Sequence, residues 1–482
     1  MPVNIIVDLS KQGNTYTMVL MVTSTAIGGT LQYGYNLAIM NGPTVFIQNF
    51  VNETYMERWG IQLGVYEVTL IWTFMVSIFS LGSFIGALIA GPMSVRFGRK
   101  KTMLLNNVFL FSSSLLALLS RTAKSFEMII ISRFLVGINA GISMNVPMYF
   151  GESAPKHLRG AVSLSSTVFT SFGLVLGQVL LGSEPYWQYL FASNAIPGLI
   201  QFLTFPWFPE NPRYLLIDWR QRALQRLQGC EVQREELDEI LQEQNETKGE
   251  RAKQPWELFT DCSVCWQLIT VAVLSSAMQL FYASYVFQEA GISGGQIQYV
   301  TIGTGVCEFT TCILCNLLIE RLGRRLMLTG IYVLMAGWAV VFTVALSLEV
   351  CFIHMTCIFT YILSFGMGPA GVTGILPTEI FNQTTLPAAY MATGSLMWLN
   401  LFIIGMIFSF LVSGLGQYCF LPFGAVCLLT ASYIQKVLPE TKGKTLSMIT
   451  KEFYRLKLNE RKCSVAPFTM IPISIRKTKS FL

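Results

Sequence analysis

Arg96-Phe97-Gly98-Arg99-Lys100 and Arg321-Leu322-Gly323-Arg324-Arg325 are one motif written twice, 225 residues apart. Working outward, Glu152 returns as Glu379 at an offset of 227, and Pro209-Glu210 returns as Pro439-Glu440 at an offset of 230. Three charged motifs at a nearly constant offset mean two halves of the same topology. Between the motifs the chain is almost uncharged. Of its 482 residues 52% are apolar, 13% aromatic and only 12% charged, and the mean hydropathy is +0.52. That composition excludes a string of soluble domains.

About 20 apolar residues at 1.5 Å rise cross a hydrocarbon core of ~30 Å. Uncharged windows at 12–52, 68–95, 102–120, 160–183, 185–209, 262–288, 326–348 and 350–378 each hold one such span. Two more, 128–151 and 290–319, qualify if Arg133 and Glu308 are allowed inside. The run 380–435 holds two spans, divided at Ser413-Gly414-Leu415-Gly416. The reading is an all-α polytopic membrane protein of twelve transmembrane helices. Its parts are an N-terminus at 1–16, a six-helix half at 17–207, a linker at 208–261, a second six-helix half at 262–437 and a tail at 438–482.

Positive charge orients it. Of the 33 Lys and Arg residues, 29 fall on one side, and only Arg58, Arg121 and Lys124 fall on the other, with Arg133 inside span 4. Both termini are therefore expected in the cytoplasm. Residues 1–14 lack the pattern of a cleaved secretory signal, so the first span is expected to remain. The linker carries eight basic and twelve acidic residues and reads as short amphipathic helices, with Leu224, Leu227, Leu237 and Leu241 at helical spacing. A plain solvated linker fits the same charges.

Other classes are excluded on the same page. The net charge of +6 sits between spans, not in a stripe with interleaved aromatics, so nucleic acid is not expected. The eleven cysteines lie mostly in spans or basic segments, and their two C-x-x-C pairs have no neighbouring histidine, so neither a metal nor a disulfide set is expected. The two histidines, His157 and His354, fall on opposite sides, which leaves no constellation for an enzyme.

The motifs resemble the sugar porters of the major facilitator superfamily, and specifically the facilitative hexose transporters. The carriers of that resemblance are Gln32 to Asn36, Arg96 to Lys101, Ser132-Arg133-Phe134, Gly151-Glu152, Leu158-Arg159-Gly160, Pro209 to Leu216 with Glu210 and Arg213, Glu320 to Arg325, and Pro439 to Gly443. Tyr33, and Gly374 where glucose-preferring relatives carry tryptophan, are similar to the fructose-type class. The resemblance implies a major facilitator fold with its substrate at mid-membrane between the halves. It also implies uniport of a hexose such as glucose or fructose across the plasma membrane, with no cofactor and no catalysis.

A hexose is neutral and rich in hydroxyls, so its site needs amides and an aromatic face. The candidates are Gln32, Asn36, Gln178, Gln279, Asn316, Trp398 and Asn400, with Thr167 at the place of a family glutamine. Such residues also serve simply to join helices, and for Gln32, Gln178 and Asn316 that plainer reading is equally open. Glu308 is a functional candidate because it is a carboxyl at membrane depth. Proton-coupled relatives carry an aspartate where this chain has Asn36, so coupling is not expected.

The charged motifs lie too shallow to touch such a sugar. Arg96, Arg99, Arg159, Arg213, Arg324 and Arg325 with Glu152, Glu210, Glu320, Glu379 and Glu440 are expected to close a cytoplasmic gate between the halves. Leu386 stands where the family carries an arginine, which suggests that Glu152 and Glu379 are short of a cation. Span 7 departs most: Gln279-Leu280 runs directly into Phe281-Tyr282, and about seven residues, ~10 Å of helix, are missing. Weak or absent transport is the alternative this raises. Of three sequons, Asn52 alone falls on the outside, and Ser480-Phe481-Leu482 fits the terminus taken by peptide-binding domains.

Overall fold

The computed structural model describes residues 18–40, 42–153, 159–180, 186–208, 257–258, 264–278, 294–347, 351–382, 385–444, 448–453 and 455. Among the described residues nine helices are long and apolar enough to cross a membrane: Tyr66–Phe97, Arg99–Ser120, Phe126–Gly151, Val162–Val179, Tyr299–Ile319, Arg324–Ala345, Met355–Ile380, Leu386–Ile407 and Tyr418–Val437. They are spans 2 to 5 and 8 to 12. The other three are broken or shorter. Span 1 is interrupted at Gly29, before the helix Thr30–Ala38. Span 6 divides into Trp187–Ala192 and Ala195–Thr204, and the described part of span 7 is Cys265–Met278. Leu317, Leu326 and Leu429 are 66%, 65% and 70% exposed on the outside of the bundle. Hydrocarbon, not water, is the solvent that suits them.

The repeat read from the motifs is also a repeat of backbone geometry. Span 2 ends at Phe97 and span 3 begins at Arg99; span 8 ends at Leu322 and span 9 begins at Arg324. Each reversal is made by one residue, Gly98 at φ 86° and Gly323 at φ 87°. Side chains do not adopt that region without strain, so glycine is required in both. Span 4 breaks after Ile142 and span 10 after Met367, again 225 residues apart.

Packing repeats as well. Span 1 lies on 5, span 2 on 4, and span 3 on 4 and 6; in the second half span 7 lies on 11, span 8 on 10, and span 9 on 10 and 12. The halves meet along two seams, span 2 against 11 and span 5 against 8. Below, the end of the bundle that carries Arg96–Lys101 and Arg321–Arg325 is called the basic end. Near it Gly91 abuts Met391, and Gly151 abuts Thr378. At the opposite end a helix, Thr44–Trp59, lies over the first half, with Ile47 and Val51 buried against Trp187 and Phe191. Exposed ion pairs fasten it to the turn between spans 3 and 4, Arg58 to Glu127 at 2.6 Å and Lys124 to Glu57 at 2.8 Å.

Gly323→Ala is expected to cost ~1–3 kcal/mol, because a Cβ there meets both a forbidden φ and the Glu440 carboxylate. The check is the melting midpoint of the detergent-solubilised protein. A midpoint equal to that of the unmodified chain would show that the one-residue turn is not under this constraint.

Candidate functional site

Halfway along the 2–11 seam stands Trp398, the thirteenth residue of the 30-residue helix Leu386–Leu415. Its indole is fully buried. Tyr33 of span 1 meets it edge-on, with ring centroids 5.1 Å apart at 77°, and Phe79 of span 2 does the same at 5.7 Å and 85°. A second-half aromatic is thus held by two first-half rings. The indole N–H has no hydrogen-bond partner among the described residues. A buried donor in that position is a standing cost unless a ligand accepts from it. Two residues further along the same helix, Asn400 donates to Ser276 of span 7 at 2.9 Å.

The 5–8 seam supplies the polar wall. Thr167, Ser171 and Gln178 are spaced by four and seven residues along the helix Arg159–Val179, which puts them on one stripe. Ser171 hydroxyl donates to the Thr167 carbonyl at 3.1 Å, lies 3.2 Å from Cys312 Sγ and 3.5 Å from Glu308 Oε1, both across the seam. Phe172 and Phe309 pack beside them with centroids 5.6 Å apart. Gln178 Oε1 is buried without a partner among the described residues and presses on Gly305, where any Cβ would lie 2.0 Å from it. Asn316 is half-buried two turns nearer the basic end on the same helix as Glu308.

Gln32 and Asn36 turn elsewhere. Asn36 and Asn194 exchange both amide bonds at 2.9 Å, and Asn36 also donates to the Gln32 carbonyl at 2.8 Å. Gln32 donates to the Asn194 carbonyl at 2.6 Å, leaving its own Oε1 buried and without a partner among the described residues. The reason is the break in span 6. Pro197 has no N–H to give to Ser193, whose carbonyl accepts from Ile196 at 3.0 Å instead, and the next carbonyl at the break, that of Asn194, takes its bond from Gln32 outside the helix. Asn194 is the residue that sequence reading missed. Its signal was present in Ser193-Asn194-Ala195-Ile196-Pro197, a proline inside a span.

At the basic end the described charges pair within the second half. Arg324 grips Glu379 through Nη2 at 2.6 Å and Nε at 3.0 Å, and Thr441 hydroxyl donates to the same carboxylate at 2.6 Å. Glu440 accepts from the backbone N–H groups of Arg324, Arg325, Thr441 and Lys442 at 2.9–3.1 Å, and so caps the start of span 9. Arg325 reaches the Gln435 carbonyl. In the first half Arg99 is buried, with Nη1 on the Ser94 carbonyl at 3.2 Å, while Arg96 is exposed over the Phe97 ring. The shortage of cation expected at Glu379 is therefore absent: Arg324 supplies it. Leu386 is buried in the apolar core of the second half.

Several expected residues lie outside this description. Gln279, the shortened stretch after it, Glu210, Arg213, most of the linker and the terminal Ser480-Phe481-Leu482 are outside the described residues. So are the side chains of Glu152, Arg159 and Glu320.

The amide clamp gives a test. Asn36→Leu is expected to cost ~1–3 kcal/mol, because it strands the buried Asn194 amide, and Asn36→Leu/Asn194→Leu is expected to cost less than the sum of the two single changes. Melting midpoints of the three variants measure it. Additive losses would mean that the two amides do not depend on each other.

With this geometry in hand, known proteins identify the chain. The family model described as Sugar (and other) transporter matches residues 21–453. The chain is 48% identical over 467 residues to facilitated glucose transporter member 11 of Homo sapiens, covering 92% of this chain and 94% of that one. It is 40% identical over 463 residues to facilitated glucose transporter member 5 of Mus musculus, covering 91% and 92%. Among solved structures, the proton:xylose symporter XylE bound to 6-bromo-6-deoxy-D-glucose superposes with a TM-score of 0.81 at 22% identity, over 91% of this chain and all of that one. That likeness is of fold, the major facilitator fold with its twelve helices. The helical repeat, the two seams and these matches agree, and the chain belongs to the sugar transporter family.

Proposed function

We propose that this protein carries a hexose by facilitated diffusion, alternating between states open to either side, in the plasma membrane with the basic end in the cytoplasm. The observation that carries the reading is Trp398. It is an aromatic face with an unpartnered buried N–H, set at mid-bundle on the seam between the halves. Gln178 across the bundle offers an unpartnered carbonyl oxygen. A neutral ligand with several hydroxyls and apolar CH faces answers both needs. The relatives named above as facilitated glucose transporters support the same substrate class.

Uniport is favoured over proton coupling by Asn36. Its side chain is committed to Asn194 and has no proton to cycle. For the gate, the near contacts of Gly91 with Met391 and of Gly151 with Thr378 are uncharged junctions between the halves at the basic end. The Arg324–Glu379–Glu440 cluster braces the second half, so that it moves as a body. The 208–261 linker and the 438–482 tail remain in this proposal as the cytoplasmic parts.

Labelled glucose and fructose uptake into proteoliposomes, each competed by the other unlabelled sugar, tests the reading. Saturable uptake is expected, with Trp398→Leu raising KM for the carried sugar. Non-saturable uptake equal to that of empty vesicles would refute it, and would favour the non-transporting alternative raised by the shortened span 7. Gly374 bears on the choice of sugar. A Cβ there meets nothing within 4 Å, so there is room for a larger side chain. Gly374→Trp is expected to shift the ratio of fructose to glucose uptake toward glucose; an unchanged ratio would remove this position from selectivity.

Asn52 is proposed as the glycosylated sequon. It lies in the helix Thr44–Trp59 at the end opposite the basic one, with Oδ1 accepting from Leu63 N–H at 3.1 Å and Nδ2 not used in that bond. Glycosidase is expected to shift the unmodified chain on a gel and to leave Asn52→Gln unshifted. An equal shift in both would reverse the assigned orientation.

A further inference from the structure

Arg133 is a cation inside span 4, 2% exposed, and the transport reading above makes no use of it. Two of its contacts bear on the site. Nη1 donates to the Asn36 carbonyl at 3.1 Å, near the C-terminal end of the helix Thr30–Ala38, where unpaired carbonyls and the helix dipole favour a positive charge. The guanidinium also lies over the face of Phe79, with Cζ 4.7 Å from the ring centroid. Phe79 is the ring that meets Trp398 at 5.7 Å and 85°. Read in order, a first-half cation holds a first-half ring, and that ring holds the second-half indole.

We propose that Arg133 is a positioning residue for sugar recognition: stacked on Phe79, it fixes the ring against which Trp398 is held across the seam. The proposal rests on the reading of Trp398 as the sugar contact. The physics is that of a desolvated cation–π contact, which is strongest away from water and requires the ring face to stay under the guanidinium. An aromatic ring held on its face cannot swing, so its contact with the indole keeps one geometry. Trp398 is then presented pre-oriented, and the sugar does not have to order it on binding. The contact with the Asn36 carbonyl is a separate matter. It anchors the cation and survives any change confined to Phe79, which makes the two roles separable.

The experiment uses the full chain in proteoliposomes, with initial rates of labelled-sugar uptake read as KM and Vmax at equal protein per vesicle. Arg133→Lys keeps a charge for the carbonyl but loses the flat guanidinium on the ring. Phe79→Met keeps bulk but loses the face. Each is expected to raise KM roughly three- to tenfold with Vmax changed less than about twofold. Phe79→Tyr, which restores a face, is expected to return KM to that of the unmodified chain. The decisive comparison is Arg133→Lys/Phe79→Met, expected to be no worse in KM than Phe79→Met alone, because Arg133 acts through Phe79. Multiplied losses in the double variant, or a fall in Vmax at constant KM, would overturn the proposal and leave Arg133 as a structural anchor of span 1. If Arg133→Lys does not insert, Phe79→Met and Phe79→Tyr still decide: a KM unmoved by Phe79→Met, or a raised KM that Phe79→Tyr does not restore, overturns it. Trp398→Leu separates the two layers. An unchanged KM in that variant would remove the sugar contact itself, and this proposal with it, whereas a raised KM beside a normal Arg133→Lys would overturn the positioning role alone.

Discussion

A polar group at membrane depth has no water to fall back on, and leaving it unpaired costs several kcal/mol. The rest of this structure follows from how that constraint is met. Asn36 and Asn194 satisfy each other across the break in span 6. Asn107 donates to Gln201, which donates to the Thr25 carbonyl, and Asn106 exchanges bonds with Asn139. These amides tie spans 1, 3, 4 and 6 into one body. Against that background the buried groups left without partners among the described residues acquire meaning, and Trp398 and Gln178, one on each seam, are the ones a hydroxyl-rich ligand suits best.

The duplication turns the same constraint into a machine with two bodies. Within each half the packing pairs repeat, and between the halves only two seams carry the main contact, 2 against 11 and 5 against 8. Glu379 and Glu440 gather the starts of span 9 and the ends of spans 10 and 12 into one cluster, with the Arg324 and Glu379 side chains 5% and 13% exposed. A buried pair of this kind is costly to break, ~3–5 kcal/mol for loss of one partner, so it suits a brace better than a latch that opens in every cycle. Gly91 against Met391 and Gly151 against Thr378 add close small-residue contacts between the halves near the basic end.

Much of this was legible in the amino-acid sequence, because the membrane enforces simple rules. Uncharged runs gave the helices, and the doubled Arg-x-Gly-Arg motif gave the two halves; the single-glycine turns at Gly98 and Gly323 appear only in the structure. Trp398 was legible as a lone aromatic among candidate amides. What escaped was the direction in which side chains turn. Gln32 and Asn36 sit on the interior face, as expected, but the break made by Pro197 draws their amides to Asn194. Leu386 suggested a missing cation at Glu379, yet Arg324 comes from a helix 55 residues earlier to fill the place. Arg133 was visible as a charge inside span 4, but nothing in the sequence paired it with Phe79, the ring that meets the indole. Pairings between distant helices are set by tertiary packing, and a single sequence carries no periodic trace of them.

The central claim is that a mid-bundle site is reached in turn from each side by two bodies rocking on their seams. Counterflow tests it most directly. Proteoliposomes preloaded with unlabelled sugar are diluted into a trace of the same labelled sugar, with and without a protonophore. A carrier of this kind predicts a transient accumulation of label above its equilibrium level, unchanged by the protonophore. Label that rises only to equilibrium, at a rate indifferent to preloading, would contradict alternating access; an overshoot abolished by the protonophore would contradict uniport.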